Sequence, residues 1–302
     1  MRDAAIVSVA RTPIGRAYRG AFNDTSGQEL AGHAIRESVG RAGVDPERVE
    51  DVIVGCAMPE GSTGYNVGRQ AALRAGFPVT VPGSTIDRQC SSGLMAIATS
   101  AKQIVLDGID VAVAAGVESI SLVQNEHKNT HRAGDLWIAD HRADMYWPML
   151  HTAELVAERY GISRGAQDAM GLESQQRAMA AREAGRFAEE IAPISVTAIE
   201  VDRDTGERRQ VEVTVAHDEG LRASTAAGLA ALRTVLEPGA VVRSPTVTAG
   251  NASQLSDGAA AVVMMESAQA RAEALEPLGY YRGVAVTEIG RASCRERVFT
   301  GV

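Results

Sequence analysis

Cysteine is scarce, with only Cys56, Cys90 and Cys294 among 302 residues. Three thiols so spaced make no disulfide framework, and they offer neither a CxxC pair nor a Cys/His zinc pattern. That scarcity points to a reducing compartment, and the cytoplasm is the expected location. No run of about eighteen apolar residues occurs, so no membrane span is expected. The opening MRDAAIVSVARTP has acidic Asp3 and only a short apolar run, unlike a secretory signal. Positive charge is also in deficit. Thirty Lys and Arg stand against 38 Asp and Glu, and the net charge of −8 argues against broad nucleic-acid binding. GxGxxG and GxxxxGK[ST] are absent, so nothing supports a dinucleotide or P-loop reading.

What is present fits a globular chain. A hydrophobic content of 45% argues against disorder, and 302 residues can bury a substantial core or form two domains. Residues 4–10 read as a buried strand. Leu30, Ala31, Ala34, Ile35 and Val39 recur with helical period, and Gly43 is placed to end that helix. Strands are expected at 51–54, 83–87 and 111–115, with a helix at 69–75 between the first two. Alternating strand and helix predicts an α/β layer structure with a mainly parallel sheet. Beyond residue 121 the pattern changes. Residues 124–147 are polar and irregular and, with His151, hold four of the six histidines. They form no HxH and no Cys lies near them, so a solvated or subunit-contacting loop is expected rather than a metal site. Helices follow at 152–160 and 166–183, then a hairpin with strands 194–201 and 210–216 joined by the charged turn DRDTGERR. A turn at Asp257 and Gly258 feeds a buried strand at 259–265.

The most informative stretch is residues 84–107, STIDRQCSSGLMAIATSAKQIVLD. A short strand meets a sharp turn at Cys90 and then a helix whose apolar stripe runs through Leu94, Ile97, Ala98, Ala101, Ile104 and Val105, with Gly108 as its stop. A cysteine at a helix start lies among unpaired N–H groups at the positive end of the dipole, a setting that favours the nucleophilic thiolate. Cys90 is therefore the candidate nucleophile, against the plainer reading of a small buried apolar residue.

DRQCSSGLMAI resembles the nucleophile segment of the thiolases, which cleave or form 3-ketoacyl-CoA through an acyl-cysteine. ARTPIGR at 10–16, AAGVESIS at 114–121 and TVTAGNASQLSDGAAAVVMM at 246–265 are similar to further thiolase segments, in the family's order. One departure is Asp87, where the family more often has Asn; a carboxylate aimed at Cys90 would oppose thiolate formation. The resemblance covers about residues 1–286. It implies the thiolase fold: an α/β/α N-terminal domain with a mixed sheet at 1–121 and 244–268, an inserted loop domain at 122–243 that binds much of the CoA, and the start of a second core domain at 269–287.

By resemblance, Met149 lines the acyl pocket, with ordinary core filling as the alternative, and Arg222 lies near the nucleotide end of CoA. Ser253 contacts the pantetheine arm, and the backbone of Ala249 and Gly250 flanks the thioester. Coenzyme A and acyl-CoA would be substrates, without metal or redox cofactor, nucleic acid or membrane, and the full-length parent a homodimer or homotetramer. Residues 288–298, EIGRASCRERV, resemble nothing in the family and read as a translated sequencing adapter, so 288–302, including Cys294, is expected to be foreign. The family's GHP, NEAF and CxG segments do not occur, and the six histidines match none of its catalytic positions. The expectation is a truncated thiolase-type acyltransferase with little turnover. The alternatives are a related condensing or sterol-carrier-type thiolase and a non-catalytic CoA-ester-binding fragment.

Overall fold

A computed structural model describes residues 2–202 and 204–287, and the backbone of 297–300. Strand β1 (Ala4–Arg11) and the two-residue β2 (Gly15–Arg16) lead to helix α1 (Gly27–Ala42). Ser26 caps α1 by accepting from the Glu29 N–H at 3.3 Å, and Gly43 ends it in the left-handed region at φ 65°. Then come β3 (Asp51–Gly55), α2 (Val67–Arg74), β4 (Gly83–Ile86), α3 (Ser92–Lys102) and β5 (Val111–Glu118). A π-helical turn, Gln103–Asp107, extends α3 to Gly108 at φ 87°.

The chain continues through α4 (Ile120–Val123), α5 (Leu136–His141), α6 (Met149–Tyr160) and α7 (Arg164–Glu183). Next are the antiparallel hairpin β6 (Ile194–Val201) and β7 (Arg208–Val215), and the short α8 (Ala226–Ala230). It returns with β8 (Ser256–Glu266), α9 (Ser267–Ala272), β9 (Gly279–Tyr280) and β10 (Val284–Thr287), which pairs antiparallel with β11 (Arg297–Thr300). The rest of the 288–302 tail, Cys294 included, lies outside the described residues.

Seven strands form one sheet, ordered β4-β3-β5-β8-β1-β9 with β2 also on β8. Only β3–β4 and β3–β5 are parallel, whereas β8 runs antiparallel to β5 and to β1. The mainly parallel sheet read from strand–helix alternation is thus corrected to the mixed one that the resemblance implied. Strand direction carries no periodic signature, and β8 re-enters from the far side of a long insertion to occupy the middle of the sheet. The polar stretch 124–147 is also less irregular than expected, because α5 forms within it on an Asp135 cap, whose Oδ1 accepts from the Ile138 N–H at 2.9 Å.

The strands are apolar throughout because both sheet faces are covered. Val52, Val54, Val111, Val113, Ala261, Val263 and Met265 face α1 and α2, packing with Leu30, Ile35 and Val39. Ile53, Ala112, Ala114 and Met264 face the opposite way, against Ala96, Ala101 and Ile104 of the α3 layer. Each fully buried Val, Leu or Ile contributes about 1.5–3 kcal/mol. The same alternation fixes which residues at the carboxyl ends of β3 and β5 look toward the start of α3.

Candidate functional site

Gly55 at the end of β3 needs its missing side chain. A Cβ there would stand 2.2 Å from the Ser92 carbonyl carbon, so the first turn of α3 sits directly on the strand backbone. On β5, Gly116 faces the same contact, its would-be Cβ 3.4 Å from Gly93 Cα. These close approaches set the turn between β4 and α3 over the carboxyl edge of the sheet. The turn is built by its own side chains. The Gln89 N–H donates to Asp87 Oδ1 at 2.7 Å, the Arg88 N–H to Ser92 Oγ at 2.8 Å, and Ser92 Oγ to the Gln89 carbonyl at 2.5 Å. Ser91 Oγ donates to the Arg88 carbonyl at 2.8 Å. Gln89 has φ 47°, a left-handed conformation unusual for a side-chain-bearing residue, immediately before Cys90. The outcome is an exposed Cys90 thiol, one residue ahead of the Ser91 cap. Asp87 is engaged with its own turn, which answers in part the question its sequence position raised.

Beneath the turn lies Glu118, the last residue of β5. It accepts from the Ala57 N–H and bonds the Cys56 thiol. Burial, with the charge of Asp87 a lesser contributor, pushes the Glu118 carboxyl above its ordinary range. Cys56 is only 1% exposed, and burial together with Glu118 pushes its thiol up to about 11. The two free cysteines among the described residues therefore stand in opposite settings.

A second group of contacts shapes residues 246–251. Glu154 of α6, 1% exposed, accepts from the Thr246 N–H (2.9 Å), Thr246 Oγ1 (2.9 Å) and the Val247 N–H (2.7 Å). Asp168 of α7 accepts from Arg164 Nε at 2.7 Å and from Asn251 Nδ2 at 2.9 Å. Asn251 Oδ1 in turn accepts from the Thr248 N–H at 2.7 Å, so the inserted helices hold this loop in shape. Arg222 donates to the Ala249 carbonyl at 2.9 Å, joining two of the residues singled out from sequence. Gly250 is buried, and a Cβ there would come within 2.5 Å of Leu232 Cδ1. Ser253 is exposed. Met149 opens α6 and is 54% exposed.

Further along, buried Asp257 accepts from the Ser121 N–H at 2.9 Å and Oγ at 2.5 Å, and burial raises its carboxyl above the ordinary range. Among the described residues no three His, Cys, Asp or Glu gather into a metal-holding group. His141 stacks on Trp137 with ring centroids 4.2 Å apart, and its Nδ1 lies 2.8 Å from the Trp137 carbonyl. Glu118, Glu154, Asp168 and Asn251 escaped the sequence reading as site residues. Glu118 had a signal, as a carboxylate closing an otherwise apolar strand; Asp168 and Asn251 each have one near partner, Arg164 and Thr248, and Glu154 had no signal, since its partners are distant in sequence.

A mixed sheet between helical layers, with an exposed thiol on a strand–turn–helix, defines a cysteine-bearing α/β/α protein. Residues 4–268 match the family model described as thiolase, N-terminal domain, and the chain belongs to the thiolase family. It is 41% identical over 286 residues to a 3-ketoacyl-CoA thiolase of Bacillus subtilis (strain 168), covering 95% of this chain and 71% of that protein. The peroxisomal 3-ketoacyl-CoA thiolase A of Rattus norvegicus is 41% identical over 288 residues, with coverages of 95% and 64%. Several of the curated relatives it matches are thus spanned for less than two thirds of their length. The crystal structure of the Bacillus anthracis acetyl-CoA acetyltransferase superposes with a TM-score of 0.79 at 37% identity, covering 96% of this chain and 72% of that one.

Proposed function

We propose that the chain carries the nucleophile half of a thiolase-type acyltransferase, with Cys90 as the attacking group. The observation that carries this reading is the exposed thiol on a turn that is closed by its own hydrogen bonds and seated by Gly55 at the start of α3. In the degradative direction the Cys90 thiolate adds to the 3-keto carbon of a 3-ketoacyl-CoA. The bond between carbons 2 and 3 then breaks, its electron pair takes a proton, acetyl-CoA leaves, and the shortened acyl group stays on sulfur as a thioester. The thiol of CoA displaces the acyl group and restores Cys90. Claisen condensation is the same sequence reversed, and it needs a second acid/base for the acetyl methyl. Met149, Arg222, Ala249, Gly250 and Ser253 are the proposed binding set for the acyl group and CoA.

Coenzyme A and acyl-CoA are the proposed partners, with no metal or redox cofactor, nucleic acid or membrane. No helix among the described residues is long and apolar enough to cross a membrane. The cytoplasm is the proposed location, and a homodimer or homotetramer the proposed assembly of the full-length parent. Because GHP, NEAF and CxG segments do not occur in the sequence, the chain by itself is proposed to turn over little: groups that act as a unit lose most of their joint effect together. The domain division proposed is 1–121 with 244–268, 122–243, and 269–287 as the start of a second core domain.

Brief iodoacetamide treatment of the folded chain followed by peptide mapping tests the nucleophile. Cys90 is expected to label well ahead of Cys56, and preferential labelling of Cys56 would overturn the assignment. Incubation with an acyl-CoA distinguishes an enzyme from a plain binding fragment, because only the enzyme leaves an acyl mass on the Cys90 peptide.

A further inference from the structure

We propose that Glu118 is a positioning residue for the Cys90 turn, a deepening that rests on Cys90 being the nucleophile. Side chains two apart on a strand share a face, so Glu118 projects on the side of Gly116, the side on which α3 begins. In the parallel pairing of β3 with β5, Gly55 lies opposite Gly116. Two residues further on, the chain after β3 presents the Ala57 N–H, and Glu118 accepts it. The neighbouring Cys56 N–H donates to the Ile86 carbonyl at 3.0 Å, the last residue of β4 before the turn. One carboxyl therefore fixes the corner after β3, and that corner fixes the end of β4 from which Asp87, Arg88, Gln89 and Cys90 depart.

The corner is braced from below as well. Thr63 Oγ1 donates to the Met58 carbonyl at 2.5 Å, and the Thr63 side chain also bonds Cys56. The titratable groups that act on Glu118 are Cys56 on the corner and Asp87 in the turn. Asp87 is the one whose negative charge reaches Glu118. A half-buried acceptor that holds a backbone N–H and a buried thiol is costly to remove, because the Cys56 S–H is left without its partner. Its loss moves the corner, and with it the end of β4 and the turn that carries Cys90.

The test measures the second-order rate of Cys90 alkylation by iodoacetamide and its pH midpoint in the full chain, for Glu118→Ala and Glu118→Gln, alongside a thermal melt. Glu118→Gln keeps an oxygen for the Ala57 N–H. Glu118→Ala is expected to raise the Cys90 midpoint and to slow labelling near neutral pH by about fivefold, as fits a thiol displaced from its place at the start of α3. Glu118→Gln is expected to leave the midpoint at or below that of the wild type. If both variants lower the midpoint equally, Glu118 acts through charge alone and the positioning role is overturned; if neither moves it, the role is likewise overturned. Wild-type chain that labels Cys56 before Cys90 defeats the nucleophile assignment instead, so the two failures are separable. Should Glu118→Ala lose its cooperative melt, the Glu118→Gln midpoint decides alone, a rise counting against the proposal.

Discussion

Glu154 shows at the residue scale how one carboxylate can shape a loop distant from it in sequence. It sits on an inserted helix, nearly without solvent contact, and meets two N–H groups and one hydroxyl of residues 246–247. Glu154→Gln keeps the volume but replaces an oxygen by an NH2 group facing other donors. Each buried donor left unpaired costs about 1–3 kcal/mol, so the substitution is expected to destabilise the chain by about 3 kcal/mol. Urea titration measures it as a lower midpoint at unchanged slope, and an unchanged midpoint would show that the clamp contributes little. Sequence marked the candidate nucleophile and concealed this clamp for a physical reason. Cys90 announces itself through local context, a strand, a turn and a helical stripe within two dozen residues. Glu154 and Thr246 are 92 positions apart, and no local pattern marks a long-range hydrogen bond. Met149 was legible in position but not in burial, since an apolar residue at a helix start reads the same whether covered or open.

Among elements, α3 is the one the site depends on, and its seating is a matter of glycines that differ in what they permit. A Cβ at Gly55 would collide with backbone atoms of Ser92 and Gly93, which cannot swing aside as a side chain can. Gly93 itself would meet only Gly116 Cα, at 3.8 Å, an ordinary contact. Gly55→Ala is therefore expected to push α3 off the sheet at a cost of about 3 kcal/mol, the upper end for overpacking. Gly93→Ala is expected to be neutral or to stabilise the helix by up to about 1 kcal/mol. Melting temperatures of the two variants check the contrast, with Cys90 labelling expected to slow only in the first; equal behaviour would mean that α3 is not seated by Gly55. Helix limits themselves were well marked in sequence, with Gly43 and Gly108 both found in left-handed termini. The direction of β8 was not, because apolar alternation looks the same in a parallel and an antiparallel strand.

For the molecule as a whole, the 189–201 segment is attached to the core by buried Ile194 and Val196, by backbone pairing with Arg11 and by polar side chains, one of them a histidine. Arg41 donates to the carbonyls of Val9, Glu190 and Ile191 at 3.0–3.2 Å, and Asn23 exchanges hydrogen bonds with Ile199. His33 on α1 completes the seam, 8% exposed, with Nδ1 3.1 Å from Arg36 and Nε2 3.2 Å from the Ala192 carbonyl. A guanidinium only donates, so Nδ1 is the acceptor and Nε2 carries the proton given to Ala192. This neutral tautomer is the one burial favours, and the His33 pKa is lowered from its ordinary 6.5. Below about pH 6.5 the unfolded chain takes up a proton that the folded chain refuses, so stability falls as pH drops from there toward the folded value. Glu118 and Asp257 run the other way. Their folded pKa values are raised, chiefly by burial, so their contribution is full below the ordinary 4.5 and 3.8 and is lost as pH rises through the folded values. The two trends separate by variant. Between about pH 7.5 and about pH 5.5 the wild type is expected to lose more melting temperature than His33→Gln, whose side chain does not titrate. Equal slopes for the two would mean that His33 is not held neutral in the fold.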